Sequence, residues 1–291
     1  MDYFAQQAIN AIQLGSIYAL IALGYSLVYG VLSMINFAHG DLFMVGAFAC
    51  LLLVSFVPLP FIVALLAVMA ITGLLGALIE RVAYRPLRNA PRVSAIITAL
   101  GCGLVIQNTT LSLSPYARPM PQLFEAKAFQ FAGVTVNTLQ LFIIGVSAAL
   151  MLGLDFVIRK TDWGIALRAT SCDRGTVPLM GVPVNRVISL TFAVGGALGG
   201  AAGVLYSQAY PVIGASMGAL IGWKAFVAAV IGGIGNVRGA VLGGYILGAV
   251  EVTTVVALPS TWRDLIAYSL LLVILIFKPN GLLGAPVQQK V

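Results

Sequence analysis

Charge is what this sequence has least of. Only 9% of its 291 residues are Asp, Glu, Lys or Arg, against about a quarter in soluble globular domains. With 60% hydrophobic residues, a water-soluble fold is excluded. Three cysteines (Cys50, Cys102, Cys172) give neither a disulfide framework nor the spacing of a metal site. The Gly-x-x-x-x-Gly-Lys-Ser/Thr phosphate loop is missing, so the chain does not bind ATP as a P-loop protein. His-Glu-x-x-His and Cys-x-x-Cys pairs are missing too, and the single histidine, His39, has no evident nucleophile partner. These gaps argue against a membrane enzyme.

What is there is a series of long apolar runs. Residues 7–29, 42–57, 61–79, 93–113, 139–158 and 187–207 each approach or exceed the length that crosses a hydrocarbon layer, which takes about 20 residues of helix. The shorter runs 219–235, 240–258 and 265–277 follow. Solid runs rather than alternating ten-residue segments exclude a transmembrane barrel. The expected fold is an all-α polytopic membrane protein with eight to nine transmembrane helices, forming one transmembrane domain over residues 1–291. The first run lacks a basic segment before it and is too long for a signal peptide core, so it reads as a retained span.

The net charge of +7 does not imply nucleic acid, because its placement explains it. Twelve of the sixteen Lys and Arg are Arg81, Arg85, Arg88, Arg92, Arg159, Lys160, Arg168, Arg174, Arg186, Arg238, Lys278 and Lys290. With nine alternating spans these fall on one side, leaving Arg118, Lys127 and Arg263 on the other. Basic loops stay in the cytoplasm, so the N-terminus is expected outside and the C-terminus inside.

Several features interrupt the apolar pattern. Ser33-Met-Ile-Asn36-Phe-Ala-His39-Gly-Asp41 is either a broken segment lining a path at membrane depth or a turn at the interface. Glu80 to Arg92 carries two prolines and is expected to end the third span as a loop. Gln107-Asn-Thr-Thr110 needs polar partners within hydrocarbon, so it is expected to face other helices. Residues 114–138 form an outer loop with Pro115, Pro119, Pro121 and Gly133 as breakers, and Phe129-Gln-Phe131 with Val134-Thr-Val136 suggests a hairpin. Glycines at helical spacing, Gly195/Gly199/Gly203, Gly232/Gly235/Gly239 and Gly243/Gly244/Gly248, allow close helix contact. Lys224 and Glu251 are ionisable groups within consecutive apolar runs; they either pair across helices or serve a solute's charges.

The longest cytoplasmic stretch, about residues 159–186, has helical signals of its own. Asp162 can cap one helix, Asp173 a second, and Gly181 can end that second one. Arg168-Ala-Thr-Ser-Cys-Asp173-Arg, Leu179-Met-Gly181-Val, Asn185-Arg186 and Gly200-Ala-Ala-Gly-Val-Leu205 resemble the coupling segment of ATP-binding-cassette importer permeases. The resemblance is specifically to the high-affinity branched-chain amino-acid permeases of the LivH type. Asn36-Phe-Ala-His-Gly40, the Lys224 to Gly235 stretch and Pro279-Asn-Gly-Leu-Leu-Gly284 extend it over nearly the whole chain. Gly175 and Val177-Pro178 depart from the family's helix-friendly run, so the second coupling helix is expected to be shortened or to start nearer Thr176.

The resemblance implies a permease subunit of an importer for branched-chain or other apolar amino acids, in the bacterial cytoplasmic (inner) membrane. It implies a second related permease subunit, two ATPase subunits that bind ATP and Mg, and an extracytoplasmic solute-binding protein. This chain would hold no cofactor or metal. Asp162, Gly164, Arg168, Ala169, Asp173, Leu179 and Gly181 would couple to the ATPases. Asn36, His39, Gln107, Lys224 and Glu251 are the candidates for the translocation path. The competing expectations are an ion-coupled secondary transporter of small neutral solutes, or the same permease type importing urea or short amides.

Overall fold

The structure is a computed structural model that describes residues 2–88, 90–124, 127–131 and 134–284. Gly133 and Lys290, read above as a loop breaker and a cytoplasmic cation, lie outside the described residues. The chain is a multi-pass membrane protein. In the absence of water, backbone groups must satisfy one another within each span, and the apolar runs accordingly become helices: α1 (Asp2–Leu32), α2 (His39–Phe56), α3 (Phe61–Ile79), α4 (Arg92–Leu113) and α5 (Thr138–Lys160). After α6 (Asp162–Cys172) come α7 (Val184–Ala209), α8 (Met217–Gly232), α9 (Val237–Ala257) and α10 (Trp262–Phe277). Leaving aside α6, nine α-helices among the described residues make up the bundle. Seven are long and apolar enough to cross a membrane unaided; α8 and α10, at 16 residues each, are shorter.

Their ends sort as the charges require. At one end, the turn after α8 meets the segment after α10, where Leu282 N–H donates to Ile231 O at 2.9 Å, and Arg238 reaches Asp155 at 3.6 Å. At the other end, β1 (Arg118–Pro119) pairs with β4 (Val212–Ile213). There too β2 (Ala128–Phe131) pairs antiparallel with β3 (Val134–Asn137), Phe129 opposite Val136. This is the expected hairpin. The N-terminus lies beside it: Gln6 Oε1 accepts from Thr135 N–H at 3.0 Å. Asn137 and Gln140 form a reciprocal capping box that starts α5.

Glycine sets the packing. Lipid tails are as apolar as leucine, so helices associate by close contact rather than by expelling water. α7 uses two glycine faces. A Cβ on Gly203 would stand 2.1 Å from Phe43 O of α2, and one on Gly196 2.5 Å from Thr72 O of α3. Gly244 and Gly248 of α9 press likewise on Ala19 and Gly15 of α1. The trio Gly232/Gly235/Gly239 differs from expectation. It straddles the inner turn between α8 and α9 rather than lying in one span, and Gly233 and Gly235 take positive φ there (109° and 92°). Helical spacing in sequence does not reveal a turn that itself needs glycine.

Two boundaries also moved. α3 does not end as a loop at Glu80: Glu80–Tyr84 continues it as a π-helical turn, since Pro86 removes only its own N–H and the groups before it still donate backwards, Arg85 N–H to Glu80 O at 2.7 Å. And α2 starts at His39, three residues before its apolar run.

Candidate functional site

The start of α2 is the centre of the intramembrane site. α1 runs to the inner side, where Gly30 faces Gly235 in the α8–α9 turn. His39 then packs against Gly24 of α1 and Gly199 of α7, and Gly24 lies eight residues, about 12 Å, back up α1. Residues 33–38 therefore climb back into the membrane without helical structure, Ser33 at a φ of 53°. Of the two expectations, these contacts argue for the broken segment rather than a turn at the interface. Asn36 is buried, and its Oδ1 accepts from Tyr84 O–H at 3.1 Å while its Nδ2 has no partner. His39 is buried, and its ring meets the Tyr25 ring at 4.7 Å.

Beside this break lies a cavity of about 130 Å³, walled by α1, α2, α4 and α8. Tyr25, Phe37 and Trp223 supply aromatic walls, and Gln107 and Asp41 supply polar ones. Phe37 and Trp223 meet in a tilted contact with ring centroids 5.3 Å apart. Gln107, a sequence candidate, thus reaches the cavity. Its neighbours do not behave as expected. Asn108 and Thr109 are exposed on the chain's surface, and Asn108 Nδ2 and Thr110 Oγ1 donate back to Leu104 O and Ile106 O at 2.8 and 2.9 Å. A helix can satisfy such groups on its own preceding turn, so no neighbouring helix is required.

Lys224 and Glu251 lie elsewhere, paired with each other. Lys224 Nζ sits 2.9 Å from Glu251 Oε1 and 2.7 Å from Asp264 Oδ1, tying α8 to α9 and α10. Tyr18 O–H of α1 donates to Glu251 Oε2 at 3.0 Å. Sequence spacing anticipated the pair and missed Asp264. A second buried carboxylate, Glu80, went unnoticed: Arg88 and Ser189 both donate to it, locking the π-helical turn to α7.

The cytoplasmic segment is a rigid corner carrying an exposed tip. The cap of α6 is Thr161, not Asp162: Thr161 Oγ1 accepts from Gly164 N–H at 3.2 Å, and Asp162 is the first helical residue. Gly164 is buried where a Cβ would meet Ile158 O at 2.1 Å, and Arg168 donates to the same carbonyl. These two residues hold α6 against the end of α5. Asp162 is exposed and Ala169 half-buried. Asp173 Oδ1 accepts from the N–H groups of Gly175 and Thr176 at 2.9 and 3.3 Å, opening a 3₁₀ turn, Val177–Met180. That turn begins next to Thr176, as the Gly175 and Pro178 departures suggested, and Gly181 closes it in the left-handed region (φ 81°). At its tip Leu179 and Met180 are 86% and 77% exposed. Met180 was not singled out from sequence; only the turn geometry shows that it projects with Leu179. Beside the tip a broad cleft of about 1350 Å³ is lined by Arg81, Arg85, Arg174 and Arg186.

Gly214-Ala-Ser216-Met-Gly218 has the spacing of a hydrolase nucleophile turn, but Ser216 only precedes α8, and no hydrogen bond joins it to His39 among the described residues. The arrangement as a whole offers a small amphiphilic cavity at membrane depth and a stiff apolar tip in the cytoplasm.

Known proteins share the whole length of this chain. Residues 7–275 match a family described as a branched-chain amino acid transport system / permease component. The chain is 39% identical to the high-affinity branched-chain amino acid transport system permease protein BraD of Pseudomonas aeruginosa, over 99% of this chain and 98% of that one. It is 40% identical to the permease protein LivH of Escherichia coli strain K12, with the same coverage. A probable branched-chain amino acid transport permease protein LivH of Methanocaldococcus jannaschii is 29% identical over 94% of this chain and 91% of that one.

Proposed function

Since the chain belongs to the branched-chain amino acid transport permease family, we propose that it is the permease subunit of an ATP-driven importer carrying branched-chain or other apolar amino acids inward. The observation that carries this reading is the cytoplasmic tip. Leu179 and Met180 stand out in water on a turn held by Asp173, Gly181 and the Gly164–Arg168 corner. Two exposed apolar side chains on an ordered projection are a contact surface for another protein. Two separate ATPase subunits, binding ATP and Mg, would grip it, and an extracytoplasmic binding protein would deliver the solute.

The cavity beside residues 33–38 is the part of the path that this chain supplies. Its α4 wall is thin: Leu100 and Leu104 line it and are also 42% and 58% exposed. A second, related permease subunit would close that side. Apolar and aromatic walls favour an apolar side chain over urea or a short amide.

The test is coupling. In proteoliposomes holding the full importer, Asp173→Lys or Gly181→Trp is expected to leave ATP hydrolysis running while leucine uptake falls. Uptake by the permease alone under an ion gradient, unaffected by either substitution, would show instead a self-sufficient secondary transporter.

A further inference from the structure

Of the carboxylates buried within the bundle, one has no partner. Glu80 accepts from Arg88 and Ser189, and Glu251 is held by Lys224 and Tyr18. Asp41, in the first turn of α2, is 7% exposed, and no hydrogen bond or ion pair reaches it among the described residues. Its oxygens sit where two glycines leave room. A Cβ on Gly103 of α4 would lie 2.5 Å from Oδ2, and one on Gly218 of α8 2.8 Å from Oδ1. Between those helices the carboxylate forms a wall of the 130 Å³ cavity.

An isolated carboxylate at this depth is costly, and a charge so placed is by default a functional group. The positive end of α2 offsets only part of the cost. Lys224, on α8, is already engaged by Glu251 and Asp264. What the seat lacks is a cation, and the walls around it suit an ammonium: Tyr25, Phe37 and Trp223 line the cavity, and aromatic rings attract cations as well as apolar groups. The volume is close to the about 150 Å³ that accepts benzene in a carved protein cavity. One end of an amino acid fits.

We propose that Asp41 is the group that receives the ammonium of the transported amino acid, in the aromatic cavity between α1, α2, α4 and α8. This rests on the permease reading above. Gln107, on the α4 side of the same cavity, would donate to the solute's carboxylate.

The experiment uses the full importer in proteoliposomes with leucine, and two truncated analogues as inhibitors: 3-methylbutylamine, which keeps the ammonium, and 4-methylpentanoate, which keeps the carboxylate. With Asp41→Asn, leucine uptake is expected to fall roughly tenfold or more, the effect of losing a charged hydrogen-bonded pair. ATP hydrolysis stimulated by the binding protein should persist, showing that the complex is assembled. The amine should inhibit the wild type more than the variant, and the carboxylate analogue should inhibit both alike. If the Asn variant fails to assemble, Trp223→Leu replaces it, with weaker amine inhibition expected and the carboxylate analogue unaffected. Wild-type leucine uptake with an equally active Asp41→Asn variant, or amine inhibition equal in wild type and variant, overturns the assignment to Asp41 alone. A wild-type importer that moves no leucine would instead sink the permease reading beneath it.

Discussion

Glu251 is 1% exposed and Lys224 has 12% of its side chain exposed, so this pair is stripped of solvent in a way that surface pairs are not. Desolvation makes such a pair a poor source of net stability, yet breaking it leaves a lone buried charge, which costs about 3–5 kcal/mol. Lys224→Met would leave Glu251 with the Tyr18 hydroxyl and an Arg263 nitrogen 4.0 Å away. The expected result is a sharp drop in folded, detergent-extractable protein and in its melting temperature. Lys224→Met with Glu251→Gln should recover most of both, because the charges left behind, Asp264 and Arg263, are exposed rather than buried, and Tyr18 still donates. Melting curves of the three proteins check this. If the double variant is no more stable than the single, the pair is not the cause of the loss. Recovered stability with near-normal uptake would place the two residues in the scaffold rather than in the path.

At the scale of the element, α6 is short enough that its cap matters. An 11-residue helix is marginal in water, and Thr161 both caps it and donates to Val157 O at 2.6 Å, binding it to α5. Thr161→Ala is expected to cost about 1 kcal/mol, raising amide exchange in α6 by roughly fivefold. Asp162→Ala removes only a favourable charge near the helix start, worth about 0.3–1 kcal/mol, and should change exchange less. Equal effects would return the cap to Asp162. This inversion shows what sequence can resolve. Thr and Asp are both good caps, and only the chain direction after Lys160 decides between them. The spans, the hairpin and the Gly181 stop were readable because each rests on local pattern: uncharged length, alternation, or a residue that tolerates positive φ. The start of α2 was not. In sequence, Asn36, His39 and Asp41 suit a broken segment or an interfacial turn alike, and only Gly24, Gly199, Gly103 and Gly218, from four other helices, give His39 and Asp41 a buried seat. The cavity was unreadable for the same reason, since four separated elements build it.

For the whole molecule, burial is uneven in an informative way. α1 and α7 are largely enclosed by their neighbours, whereas α4 is scarcely covered by the rest of the chain. Exposure to lipid alone would be an ordinary explanation, and it suits α5, where Leu152 is 71% exposed. α4 is different because its covered edge is also the wall of the cavity, so lipid there would have access to the solute's seat. An importer with a water-soluble cargo requires that side to be sealed by protein. A spin label at position 104 of α4 and one at position 152 of α5, each in a background with Cys102 and Cys172 replaced, can separate the two cases. In the isolated chain both should be reached by oxygen dissolved in the lipid. In the assembled importer the label at 104 should become shielded while that at 152 stays accessible. Equal accessibility at both sites in the complex would mean that α4 faces lipid, and that the second subunit closes the path from another side.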